Sequence, residues 1–198
     1  MKKITNMFLF FMVFSGAVWA HAGHEHTSNV PIHVRWGLTG MSDLQNPHPV
    51  IVHFPIALLT FSILFYVLGT VLKKENFFFA GKWLLYFGTA SAAVAVWTGL
   101  KAANSVWHDE EAHLIMIPHQ YLGIGILVLS FIFSLWLLVS KSNIPSKGRW
   151  AFLIGMILLA AIIAQQADFG GRLVYLKGVG VGKKKIAIQN ITDHSQHQ

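Results

Sequence analysis

Imidazole titrates near neutral pH and is the commonest protein ligand for metals, and this chain carries eleven histidines. They fall in three places. The N-terminal group is His21, His24, His26, His33, His48 and His53; His108, His113 and His119 surround one later connection; His194 and His197 lie near the end. On the topology derived below, all of them sit on one side of a membrane, which points to haem, metal or proton chemistry at that surface. The chain has no cysteine. That excludes disulfides, iron-sulfur ligation, thiol catalysis and covalent haem attachment of the Cys-x-x-Cys-His kind. A metal must then be held by His, Asp, Glu, Met or backbone oxygen.

The elements that would position these groups follow from composition. Of 198 residues, 54% are hydrophobic and only 12% charged, a balance that indicates a membrane protein. A helix needs about 20 apolar residues to cross a bilayer core, and four runs meet that length. They cover about 50–72, 78–100, 118–139 and 150–170. The expected fold is all-α, an integral membrane four-helix bundle over 47–181, describable as two antiparallel hairpins. Proline is best tolerated in the first helical turn, so Pro49 and Pro118 predict the starts of the first and third spans. Pro55 lies inside the first apolar run, where the lost backbone hydrogen bond gives either a local kink or, six residues past Pro49, only a stiffened helix start.

Residues 1–20 read as a signal peptide: Lys2 and Lys3, an apolar stretch from Met7 to Val18, then Val18-Trp19-Ala20 as a cleavage site. The polar, His-rich segment 21–46 and the basic, His-containing tail 182–198 read as flexible exported ends. Lys73, Lys74 and Lys82, and again Lys141, Lys147 and Arg149, mark their connections as cytoplasmic, whereas Asp109, Glu110 and Glu111 suit the exported side. A multi-pass protein of the bacterial inner membrane is expected, with both termini periplasmic after cleavage. Arg172, Lys177 and the run 183–185 run against this rule, although late charges weigh less. The formal charge of +7 is spread over both membrane faces and gives no footprint for nucleic acid.

Helical spacing arranges polar and small residues in stripes. These are His53, Ala57 and Thr60 on the first span; Thr98, Ala95, Ser91 and Gly88 on the second; His119, Gly123, Ile126, Ser130 and Ser134 on the third; Asp168, Gln165 and Ala161 on the fourth. The four stripes are expected to face one another. At a rise of about 1.5 Å per residue, His53 and His119 share a depth just inside the exported boundary. They could ligate the iron of haem b from non-adjacent helices. A second reading gathers His48, His53, His119 and Asp168 around a transition metal such as Cu or Zn, with the carboxylate orienting an imidazole. In a third, the histidines reach water or head groups and bind nothing.

If cleavage follows Ala20, the new amino group of His21 could chelate copper or zinc with His24 or His26. The loop His108-Asp109-Glu110-Glu111-His113 offers N and O donors, but an acidic loop is ordinarily just solvated. No nucleotide loop, nucleophile elbow, His-Glu-x-x-His motif or paired catalytic carboxylates occur, and nothing supports a named enzymatic reaction.

His48-Pro49-Val50-Ile51-Val52-His53-Phe54-Pro55-Ile56-Ala57, Thr98-Gly99-Leu100, the early His119, and Gly170-Gly171-Arg172-Leu173-Val174-Tyr175 followed by Gly178-Val179-Gly180-Val181 resemble the membrane family called domain of unknown function 2231. The resemblance runs from about Pro47 to Val181. It implies a four-helix membrane architecture with no assigned reaction, and a setting beside cytochrome and iron-sulfur modules. The combined expectation is a protein of the lipid bilayer that binds haem b or a transition metal at its periplasmic mouth. It would act as an accessory or electron carrier for a membrane or periplasmic redox partner. The alternatives are metal handling by the His-rich ends, or a structural membrane partner without cofactor.

Overall fold

The computed structural model describes Gly37, Leu44 and residues 46–180. The expected signal peptide, the His21, His24 and His26 chelate, and the tail 182–198 lie outside the described residues. Among the described residues there are five helices: α1 (His48–Ile51), α2 (His53–Leu72), α3 (Glu75–Ser105), α4 (Glu110–Ser140) and α5 (Arg149–Tyr175). α1 runs into α2, so that His48–Leu72 acts as one span, and all four resulting helices are long and apolar enough to cross a membrane. α2 packs most closely on α3, α3 on α4 and α4 on α5, and α5 closes back on α2. The result is an up-and-down bundle, with α1/α2 diagonal to α4 and α3 diagonal to α5.

Small residues set the tightest contact. A Cβ on Gly69, Gly81 or Gly88 would come within 2.7 Å of Phe78, 3.1 Å of Tyr66 and 2.6 Å of Leu59 respectively. α2 and α3 therefore approach as closely as small-residue interfaces allow in lipid. Gly88 and Ala92, four residues apart on α3, are both buried. Ser62 Oγ donates to Gly81 O at 2.8 Å, and Thr89 and Ser134 hydroxyls share a bond of 3.0 Å between α3 and α4. Each satisfies a polar group that lipid could not. Tyr66, Phe78, Phe133, Trp136 and Phe152 fill the end of the core near the α4–α5 connection, and Tyr66 donates its hydroxyl proton to Asn143 O at 2.9 Å.

One helix start differs from expectation. α4 begins at Glu110, not at Pro118, because Asp109 caps it by accepting from Ala112 N at 2.7 Å. Pro118 thus lies inside the helix. Near Pro55, whose ring leaves the preceding turn without one donor, the helix is interrupted at Val52 between α1 and α2. At the other end, Gly178 adopts the left-handed conformation with φ 63° and stops α5. Val179 then turns back, its N–H donating to Leu173 O at 2.9 Å, and packs on Ala112, Met116 and Leu173.

Candidate functional site

Between this small cluster and the main core lies a cavity of about 480 Å³. Its walls come from the start of α1/α2, the last turns of α3, the first turns of α4 and the last turns of α5. Ala92, Ala95, Gly99 and Ala103 on α3, with Gly123 on α4 and Ala167, Gly170 and Gly171 on α5, clear the space. The lining is apolar apart from a few groups, chiefly His48, His119 and Gln166, which is the usual character of a small-molecule or cofactor site.

His48 and His119 meet there. Their ring centroids are 6.4 Å apart and their planes stand at 86°. The histidine of the diagonal span α1/α2 turns toward α3, where its Nδ1 lies 3.1 Å from Ala95 O and 3.3 Å from Thr98 Oγ1. His119 turns toward α5, with Nδ1 at 3.0 Å from Gln166 O. A carbonyl oxygen only accepts, so each Nδ1 carries the proton and each Nε2 keeps its lone pair. The Gln166 amide donates to Nε2 of His119 at 3.3 Å, in agreement with that tautomer. Both rings sit on glycine. A Cβ on Gly99 would lie 2.8 Å from Cε1 of His48, and one on Gly170 would lie 3.1 Å from Cε1 of His119.

The other expected site residues lie apart from this pair. His53 lines the rim, but its ring is exposed and Nδ1 stays with Val50 O in its own turn, at 3.3 Å. Asp168 is also exposed. Indeed the expected inward stripes of the first and fourth spans face outward: His53, Ala57 and Thr60, like Asp168, Gln165 and Ala161, are all exposed. Those of α3 and α4 point inward, with Gly88, Ala95, Thr98, Ile126 and Ser130 buried. The difference has a physical cause. Near helix ends, polar side chains reach water and head groups without turning into the bundle, so polarity alone does not mark the inner face there.

Gln166 escaped the reading from sequence, and Gly99 and Gly170 entered it only within the motifs of the family resemblance. The signal for Gln166 and Gly170 is the spacing Leu159, Ile163, Gln166, Gly170, Leu173, a continuous helical stripe whose members are buried or half-buried. Among the described residues, no three His, Asp or Glu side chains converge on a point that could hold a metal ion. The quartet of His48, His53, His119 and Asp168 is therefore not assembled.

No curated protein and no solved structure matches the chain. A match to the family described as predicted membrane protein, DUF2231, extends over residues 45–183, which takes in the four spans and both imidazoles of the cavity. With most of its length matched, the chain belongs to that family of membrane proteins.

Proposed function

We propose that the protein binds haem b in this cavity, where His48 and His119 would hold its iron, and serves a redox chain at the periplasmic face of the bacterial inner membrane as an accessory or electron carrier. The carrying observation is the separation of the two rings. Ring centres 6.4 Å apart leave room for one metal bonded to a nitrogen of each imidazole by bonds of about 2.0–2.1 Å. The fixed Nδ1–H tautomers also support it, since ligating histidines characteristically donate their second N–H to a backbone carbonyl or carboxylate. The two converging side chains suit a group that supplies the remaining ligands itself. Bound haem would supply one-electron exchange, its potential set by the imidazoles and the apolar burial.

The chain's own residues do the rest. Ala95 O and Gln166 O orient the rings, and the small residues of α3 and α5 provide room. The periplasmic placement rests on Lys73, Lys74, Lys141, Lys147 and Arg149 gathering near the opposite end of the bundle. The test is a reduced-minus-oxidised spectrum of the purified full chain after expression with haem supply. Soret and alpha bands are expected, lost in His48→Ala and in His119→Ala and kept in His53→Ala. A folded, colourless parent protein would overturn the reading.

A further inference from the structure

A second pair of imidazoles stands outside the cavity. His108, in the α3–α4 connection, and His113, in the first turn of α4, stack with planes 9° apart and centroids at 5.4 Å. His108 Nε2 and His113 Nδ1 are 3.2 Å from each other. His108 is held from behind, since its Nδ1 donates to Val106 O at 2.8 Å, so that Nε2 presents a lone pair toward His113. His113 is fixed by a helix whose start is itself capped by Asp109.

We infer that His108 and His113 form a two-imidazole surface site for a divalent transition metal of the copper and zinc type. Two nitrogens bound to one ion at about 2.0–2.1 Å, at angles between square and tetrahedral, are roughly 2.9–3.4 Å apart. The observed 3.2 Å lies in that interval, so the ligands keep their spacing, lose the proton they share and turn their lone pairs from each other toward the ion. His108 already has the backbone-anchored second nitrogen that orients a ligating ring. Asp109 and Glu110 supply negative charge that offsets the positive end of the helix, and water completes the coordination. Imidazole donors favour Cu²⁺ above Zn²⁺. Neither histidine lines the cavity, so the site stands or falls separately from the haem reading.

The experiment uses the full chain in detergent with His21, His24, His26, His33, His194 and His197 replaced by Ala, which removes competing histidines. Titration with Cu²⁺ and then Zn²⁺, read by calorimetry and by the nitrogen hyperfine pattern of bound Cu²⁺, is expected to show one stoichiometric site with two imidazole ligands. His108→Ala and His113→Ala should each weaken it at least about tenfold, the lower limit of what even an outer partner costs, with thermal stability in the absence of metal unchanged. Absence of a stoichiometric site overturns the proposal. So does a site that survives both substitutions, or one lost instead in His119→Ala.

Discussion

At the scale of single residues, the backbone decides what His48 and His119 can do. Each ring is anchored through Nδ1 on a carbonyl of a neighbouring helix and rests on a glycine that any side chain would crowd. Gly99→Ala and Gly170→Ala should therefore displace the rings and reduce haem content, whereas Gly125→Ala, where a Cβ meets nothing within 4 Å, should not; the alpha band per mole of folded protein measures this. Gln166 makes a sharper case. Its amide occupies the lone pair of His119 Nε2, and ligation requires that this bond be given up. Gln166→Leu is expected to keep or raise haem loading, and a colourless Gln166→Leu protein would count against ligation through Nε2.

At the scale of elements, the α2–α3 pair is the part least able to absorb change. Gly88→Ala would bring a Cβ within 2.6 Å of the Leu59 side chain and 3.2 Å of its backbone N, and forcing packed helices apart costs about 1–3 kcal/mol. The loss should appear as a lower midpoint of thermal unfolding in detergent. The turn after α5 is held differently, by Lys177 paired with Glu111 of α4. The hydrogen bond that the ammonium donates to that carboxylate, made only in the folded turn, raises the lysine above its usual value. A raised folded value means that the contribution is complete below the unfolded lysine value and is lost as pH rises through the higher folded one. Amide exchange at Val179 is thus expected to quicken, beyond its intrinsic base catalysis, on the alkaline side, and Glu111→Gln should abolish this extra step.

At the scale of the whole molecule, the exterior is a belt of exposed apolar side chains, among them Phe54, Phe61, Val71, Phe87, Trp97, Val139 and Trp150. Such a surface is compatible with lipid and incompatible with water. Orientation can be measured directly, because a chain without cysteine gives no background to thiol labelling. Asn104→Cys, at the end of α3 nearer the cavity, should react with a membrane-impermeant maleimide in spheroplasts. Ser146→Cys, in the α4–α5 connection, should react only after permeabilisation. The reverse pattern would place the cavity at the cytoplasmic face.

The sequence by itself determined the four spans, their antiparallel order and the family, because crossing a bilayer demands long uninterrupted apolar helices and leaves few other arrangements. It also carried the inner faces of α3 and α4, where small and polar side chains recur deep in the membrane and must be turned toward protein. Only the tertiary structure decided which histidines meet. His53 resembles His48 in type and lies five residues beyond it, yet that spacing sets the two on different faces. Near the membrane surface no solvent penalty forces either inward. The choice was made by the glycine seat at Gly99 and the carbonyl of Ala95, both on another helix, and no pattern local to the first span could reveal them.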